Sequence, residues 1–198
     1  MKKESFEKAI QAIEIERDAI NNLLNYIDHD SFSKAVDKLR DCNKIITCAC
    51  GTSSISAQKF THTLCCIERD ALFLSPANAV HGGLGCVKKD DVVVIISKGG
   101  KTAELIPIID VVNIKKACLI GVTENKDSYL AEKSDIVLTY KTEKECDRLN
   151  VLSTASFITT VALFDALAIA IMEDMDYQAE QFALIHPGGA VGEVLNKQ

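Results

Sequence analysis

The sequence predicts an α/β protein, a three-layer αβα sandwich built around a five-stranded parallel sheet. Five short runs of apolar and β-branched residues alternate with helical segments, at residues 44–50, 70–74, 91–96, 117–122 and 136–139. The third run, DVVVII, is almost continuously apolar, which is typical of a parallel strand covered on both faces. Alternation of this kind implies right-handed crossovers and helices on both sides of the sheet.

Two helices are predicted ahead of the first strand. Residues 4–26 place apolar side chains at helical spacing and form an amphipathic helix. Its apolar stripe needs a partner, which is either the rest of the domain or a second subunit. The next helix covers residues 31–42, and Asp30 or Ser31 is its expected N-cap. Residues 1–43 are therefore an N-terminal helical segment, joined to one domain over residues 44–198 in a single structural unit.

The bulk composition excludes several classes of protein. A net charge of −6 and a pI near 5.3 argue against nonspecific binding of nucleic acid, which needs a basic surface. The longest apolar stretch, residues 157–172, contains Asp165 and two threonines, so we expect a buried helix and no membrane span. The N-terminus has charges at helical spacing and no apolar core of a signal peptide. We expect a cytoplasmic protein.

The eight cysteines do not form a recognisable metal motif. Their spacing contains no C-x-x-C pair and no zinc-type histidine pattern. In a cytoplasmic protein, cysteines in apolar strands and helices behave as small hydrophobic residues. We therefore expect reduced, structural cysteines and no metal.

Three loops rich in hydroxyl groups or glycine fall at or near the strand-to-helix junctions. Ligands of parallel α/β sheets sit beyond the carboxyl ends of the strands, where helix N-termini attract anions. Loop one is residues 51–54, loop two is 97–102 and loop three is 153–156. Their predicted binding residues are Gly51, Thr52, Ser53, Ser54, Ser97, Gly99, Gly100, Thr102, Ser153, Thr154 and Ser156.

The three loops predict a site for an anionic ligand, although a helix N-cap after a strand is common in every α/β fold. Lys98 or Lys101 could add positive charge to loop two. Loop two lacks the spacing of a Walker P-loop. No G-x-G-x-x-G follows the first strand, which disfavours a nucleotide-binding Rossmann domain.

Three further residues have the chemistry to move protons. His81 and His186 are each followed within three residues by a glycine pair, and glycine lets the backbone approach a ligand closely. Glu145 lies just past the last strand, where a catalytic base could sit. Each of the three has an ordinary alternative: a structural role for either histidine, and a solvated surface charge for Glu145.

Taken together, these motifs resemble the arabinose-5-phosphate isomerase family, a branch of the sugar isomerase (SIS) superfamily. The resemblance covers residues 45–195 or so. It is carried by FALIHPGGAVG at residues 182–192, HGGLG at 81–85, KE at 144–145 and DALA at 165–168. The fold that it implies is the SIS variant of the flavodoxin-like or Rossmann-like sandwich.

The resemblance implies that the chain interconverts ribulose 5-phosphate and arabinose 5-phosphate through an enediol, an early step toward Kdo in lipopolysaccharide or capsule biosynthesis. A base and an acid suffice for this reaction, so no cofactor is expected. By position, His81, Glu145 and His186 match active-site residues of the family. Family members are tetramers, dimers of dimers with sites at subunit contacts, which suits the apolar stripe of the first helix. The chain ends soon after the signature, so we expect no paired regulatory (CBS) domains.

Two positions depart from the family pattern. The family has a lysine in loop one, where this chain has Thr52, and a glutamate in loop two, where this chain has Lys101. One hypothesis is that Lys101 supplies the missing cation, with Glu145 or a histidine as the base. Two alternatives remain: a catalytically weak or inactive domain that binds a sugar phosphate in a regulatory role, and an isomerase of another sugar phosphate such as a hexulose phosphate.

Overall fold

The computed structural model describes residues 2–188 and Gly192. Its strands are β1 Ile45–Ala49, β2 Ala71–Phe73, β3 Val92–Ile96, β4 Cys118–Thr123 and β5 Ile136–Thr139. Its helices are α1 Lys3–Leu23, α2 His29–Asp41, α3 Thr52–Cys66, α4 Pro76–Ala79, α5 Ile106–Lys115, α6 Tyr129–Lys133, α7 Ala155–Asp174 and α8 Ala179–Ile185. The predicted α/β class and the five-stranded sheet are confirmed.

All five strands are parallel and lie in the order β2-β1-β3-β4-β5. The chain moves outward from β1 to β2 and then returns to the other side of β1 to form β3. The strand order therefore reverses between β1 and β3, and such a reversal opens a crevice at the carboxyl ends of the two strands. Loops one and two follow β1 and β3, so both lie at this crevice.

The two faces of the sheet carry separate apolar layers. Alternate residues of β3 point to opposite sides: Val92 and Val94 pack with α2, α3 and α7, whereas Val93 and Ile95 pack with α4, α5 and α6. Every residue of β1 and β3 is buried. A strand covered on both faces needs apolar side chains at every position, which explains the continuous run that the sequence shows.

Helix α7 is the central helix of one layer. By length and composition it could cross a membrane, but it packs on α1, α2 and α3, and nine of its residues are buried. Phe164 stacks on Phe60 of α3 with their ring centroids 4.4 Å apart. The expectation of a buried helix in this stretch is confirmed.

Helix α1 leaves part of its apolar stripe uncovered. Ala19 and Leu23 are buried and the helix packs on α7, whereas Phe6, Ile10 and Ile13 are exposed. The domain itself therefore covers only the C-terminal part of the stripe. Both partners that the sequence left open, the rest of the domain and a second subunit, remain relevant to this helix.

Several predicted boundaries move by a few residues. The N-cap of α2 is Asp28, whose carboxylate accepts a hydrogen bond from the Ser31 N–H at 2.8 Å, and not Asp30 or Ser31. Helix α3 begins at Thr52, three residues earlier than expected, so loop one is the first turn of that helix. Helix α7 begins at Ala155, with Thr154 as its N-cap.

Candidate functional site

The crevice between β1 and β3 contains an open groove of about 570 Å³. Residues from loop one, the start of α4 and the segment that follows loop two form its walls: Ala49, Cys50, Gly51, Ser54, Phe73, Ser75, Pro76, Ala77, Val80, Glu104 and Pro107. Its position at the topological switch point is where an α/β sheet binds its ligand. We take it as the candidate active site.

Loop one presents the start of a helix to this groove. Gly51 has φ of +58°, a conformation that glycine adopts without strain, and α3 follows at once. At the start of this 15-residue helix the Ser54 N–H donates to the Gly51 carbonyl at 3.0 Å, whereas the N–H groups of Thr52 and Ser53 precede the first helical hydrogen bond and carry partial positive charge. The Ser54 hydroxyl donates to the Gly51 carbonyl at 2.6 Å, so it closes the turn. Thr52 is exposed and Ser53 half-buried.

Loop two is a tight turn held by its own hydroxyl groups. The buried Ser97 Oγ accepts a hydrogen bond from the Gly100 N–H at 3.1 Å and lies 2.9 Å from Thr102 Oγ1. Thr102 is followed by a short 3₁₀ turn at Ala103–Leu105 and only then by α5. Loop two therefore offers turn amides and hydroxyl groups in place of a long-helix N-terminus.

The fixed shape of loop two predicts that Gly100→Ala destabilises the protein. Gly100 has φ of +65°, and an added Cβ would collide with Ser128 Oγ. Strain at this φ together with the overlap should cost roughly 1–3 kcal/mol in the free energy of unfolding. Gly99→Ala is the matched control, because a Cβ at Gly99 meets nothing within 4 Å. Urea unfolding of both variants measures the difference, and equal stabilities would contradict the geometry.

Loop three already binds an anion that belongs to the protein. The Thr154 and Ser156 N–H groups donate to Glu145 Oε2 at 2.9 and 3.2 Å, and the Thr154 hydroxyl lies 3.2 Å from the same atom. The Ser153 and Ser156 hydroxyls pair with each other at 2.9 Å. The sequence predicted that all three loops converge on one external ligand. For the Thr154 and Ser156 amides of loop three this prediction is wrong, because the Glu145 carboxylate occupies them.

Glu145 is a buried carboxylate with a side-chain cation beside it. It is 5% exposed, so its alternative interpretation as a solvated surface charge is wrong. Lys98 Nζ donates to Glu145 Oε1 at 2.7 Å. Burial alone would raise the pKa of Glu145, but the hydrogen bonds from Lys98, Ser156 and Thr154 outweigh it and lower the pKa to about 2. A carboxylate this acidic and this fully hydrogen-bonded is poorly suited to act as a general base.

The two lysines of loop two have different surroundings. Lys98 makes the ion pair with Glu145, whereas Lys101 is an exposed side chain. The sequence left both lysines open as the cation of loop two, and Lys101 was one hypothesis for the lysine that the family has in loop one. The structure pairs Lys98 with the predicted active-site carboxylate.

The two histidine motifs lie at opposite ends of the domain. His81 is exposed directly after Val80, which lines the groove. His186 follows α8, and Gln181 of α8 donates to Glu68, just beyond the far end of α3. Helix α3 has 15 residues, so its two ends are about 20 Å apart. Within one chain, α8 is therefore anchored beside the end of α3 that is remote from loop one.

His186 has one ring nitrogen fixed and one left for chemistry. Its ring stacks on Phe182 at 3.8 Å between centroids, and its Nδ1 is 2.9 Å from the Phe182 carbonyl oxygen. A carbonyl only accepts hydrogen bonds, so Nδ1 carries the proton and Nε2 keeps its lone pair in the neutral ring. The residues Gly189, Ala190 and Val191 of the same motif lie outside the described residues.

Two groups in the groove escaped the sequence analysis. Glu104 supplies a carboxylate there, from the 3₁₀ turn that follows loop two. Cys50 lines the same wall, and burial followed by the negative charge of Glu104 raises the pKa of its thiol. The signal for Glu104 was its place two residues after Thr102, in the first turn of a helical segment at the carboxyl end of β3. No comparable signal singles out Cys50 among eight cysteines.

Comparisons with known proteins agree with this geometry. The family model described as SIS domain matches residues 38–170. The chain is 37% identical over 188 residues to arabinose 5-phosphate isomerase KdsD of Pseudomonas aeruginosa, a match over 94% of this chain and 57% of that protein. KdsD of Escherichia coli K12 is 34% identical over 186 residues, with 93% of this chain and 56% of that protein covered. The chain thus spans a little over half the length of these curated relatives.

Two solved structures share the whole fold. A Listeria monocytogenes protein provisionally assigned as a sugar-phosphate isomerase superimposes with a TM-score of 0.92 at 42% identity, over 95% of this chain and all of that one. An Escherichia coli protein solved in complex with arabinose 5-phosphate gives a TM-score of 0.88 at 28% identity, over 94% of this chain and all of that one.

Proposed function

This chain belongs to the SIS domain family, and we propose that it is a sugar-phosphate isomerase that interconverts ribulose 5-phosphate and arabinose 5-phosphate. The observation that carries the proposal is the groove at the carboxyl ends of the strands, which is lined by Gly51 and Ser54 of loop one and by the Glu104 carboxylate, two residues past loop two. The similarity to KdsD and to the structure with bound arabinose 5-phosphate supports the choice of sugar. The step would serve bacterial lipopolysaccharide or capsule synthesis.

The phosphate is assigned to loops one and two. Loop one offers the N–H groups at the start of α3, and loop two offers turn amides beside Ser97 and Thr102. Phosphate binds well to helix N-termini and hydroxyl groups even in an acidic protein. The binding residues proposed are therefore Gly51, Thr52, Ser53, Ser54, Ser97, Gly99, Gly100 and Thr102, with Lys101 as the exposed cation at their edge.

Isomerisation requires one proton to leave C1 of the ketose and one to arrive at C2 of the enediol. Glu104 is the carboxylate in the groove, and His81 is exposed at its rim. We assign proton transfer to these two groups together with His186. Glu145 takes a positioning role, because its carboxylate is buried and engaged by four donors.

We propose that His186 contributes from a second copy of the chain, since α8, which it follows, is anchored near the far end of α3. A homo-oligomer, with a tetramer as the specific expectation, brings His186 of one copy to the groove of another. The exposed apolar residues of α1 provide a surface for such an assembly. Residues 1–43 then serve as the assembly segment and residues 44–198 as the catalytic domain, in a cytoplasmic enzyme.

A substrate panel distinguishes this function from its alternatives. Purified protein is incubated separately with ribulose 5-phosphate and with a hexulose 6-phosphate, and the aldose products are quantified, while calorimetry measures the binding of each sugar phosphate. We expect turnover of the pentulose and little of the hexulose. Binding without turnover of either sugar would favour a regulatory domain, and preferential turnover of the hexulose would indicate a different SIS isomerase.

A further inference from the structure

We propose that Lys98 and Glu145 form a fixed internal ion pair that positions loop three against loop two. The inference deepens the proposed isomerase function and rests on it. Lys98 is then a positioning residue that acts through Glu145. None of the similarities to other proteins assigned this role to Lys98.

The first support is the saturation of the Glu145 carboxylate. Oε2 faces the N–H groups of Thr154 and Ser156 at the start of α7, a 20-residue helix, while Oε1 faces Lys98 Nζ. A helix N-terminus is an anion site, and here the protein supplies the anion. A phosphate dianion at the same amides would have to displace a buried carboxylate or accept its repulsion at close range.

The second support is the way in which Lys98 is tethered. Its carbonyl oxygen accepts hydrogen bonds from the Thr123 hydroxyl and the Glu124 N–H, both at 3.0 Å, so its backbone is held against the end of β4. Its side chain is about half exposed and spans from loop two to Glu145. One end of the ion pair therefore belongs to loop two. The other end, Glu145, lies in the segment before α7 and accepts hydrogen bonds from the N–H groups at the start of that helix.

The segment between β5 and α7 depends on the same carboxylate residue. The Glu145 N–H donates to Asn150 Oδ1 at 2.6 Å, and the neighbouring Cys146 N–H donates to Thr154 Oγ1 at 2.9 Å. Removing the Lys98 charge would leave a buried, partly uncompensated carboxylate at the centre of these contacts. The result would be a shift of loop three relative to loop two. Even small displacements near a reaction centre reduce catalysis.

The test uses Lys98→Met, Glu145→Gln and the double variant of the full chain. For arabinose 5-phosphate isomerisation, each single change should lower kcat/KM by up to about 100-fold, mainly through kcat, and the double variant should be no worse than the poorer single variant. Lys141→Met is the matched control, because the Lys141 ammonium is 4.0 Å from Glu124 Oε2 and half exposed. It should remain close to wild type.

The pH profile separates positioning from base catalysis. If Glu145 positions loop three, the acid limb of kcat/KM keeps its midpoint in Glu145→Gln. Two results would overturn the inference and make Glu145 the base. One is loss of the acid limb in Glu145→Gln. The other is abolished turnover in Glu145→Gln together with near-normal turnover in Lys98→Met.

Urea unfolding tests the ion pair without a measurement of enzyme activity. A negative result for the ion pair can therefore be distinguished from failure of the proposed isomerase function. Each single variant should unfold at lower urea than wild type, and the double variant should recover part of the loss. The folded-state pKa of Glu145 is lowered from 4.5 to about 2, so its stabilising effect is present above pH 4.5 and disappears as the pH falls toward 2. Glu145→Gln should flatten the pH dependence in this window. Additive single losses, or an unchanged pH dependence, would contradict the ion pair.

Discussion

Glutamine in place of His186 is expected to lower kcat for sugar-phosphate isomerisation by about 10²–10⁴-fold, the usual contribution of a general acid or base. The neutral imidazole carries its proton on Nδ1, facing the Phe182 carbonyl, so Nε2 is the atom that can exchange a proton with substrate. Glutamine keeps hydrogen-bonding groups but cannot carry the proton. Steady-state kinetics measure the loss, and calorimetry should show that arabinose 5-phosphate still binds, because loops one and two are untouched.

Subunit mixing shows whether His186 acts on its own groove or on that of another copy. His186→Gln and Glu104→Gln are each expected to be nearly inactive, and hybrids formed by joint refolding should regain activity because some grooves receive both native groups. Unmixed samples treated in the same way are the control. Full activity of His186→Gln, or hybrids without any recovery, would contradict a site shared between subunits.

The largest loss of stability is expected for Phe164→Ala. Phe164 is fully buried at the centre of α7 and stacks on the equally buried Phe60. Removal of the ring deletes this contact and leaves a cavity in the layer formed by α3 and α7, which should cost roughly 3–5 kcal/mol in the free energy of unfolding. Equilibrium urea unfolding monitored by circular dichroism measures it.

The control for this change lies on the same helix. Ile169 is 58% exposed, so Ile169→Ala removes apolar side-chain carbons without opening a cavity in the core. Its stability should remain within about 0.5 kcal/mol of wild type, as is usual for surface positions. A loss for Phe164→Ala no larger than that for Ile169→Ala would show that the α3–α7 layer is not the principal core.

The fold was predictable because its strands carry a strong local signal. A buried parallel strand requires apolar residues on both faces, and the run at residues 91–96 shows this without any tertiary information. Helix starts were less predictable, because several residues near each end can cap a helix. Asp28, Asp30 and Ser31 are all good capping residues, and only the folded backbone selects Asp28.

The site was predictable in its location but not in its pairings. Strand order puts loops one and two at the switch point, and the sequence already shows that these loops follow strands. The sequence offered both Lys98 and Lys101 as cations of loop two, and it could not show that Lys98 meets Glu145, because that contact depends on the direction of the folded turn. Glu104 escaped because its local signal was weak: acidic residues are common in the first turn of any helical segment.

We propose that this groove isomerises a pentose phosphate through an enediol. The decisive test is to identify the product that forms in heavy water. Ribulose 5-phosphate is incubated with the purified protein in D₂O, and the products are analysed by NMR and mass spectrometry. We expect arabinose 5-phosphate that carries deuterium at C2, because the enediol receives its new proton from a group that exchanges with solvent. No arabinose 5-phosphate above the protein-free background would contradict it.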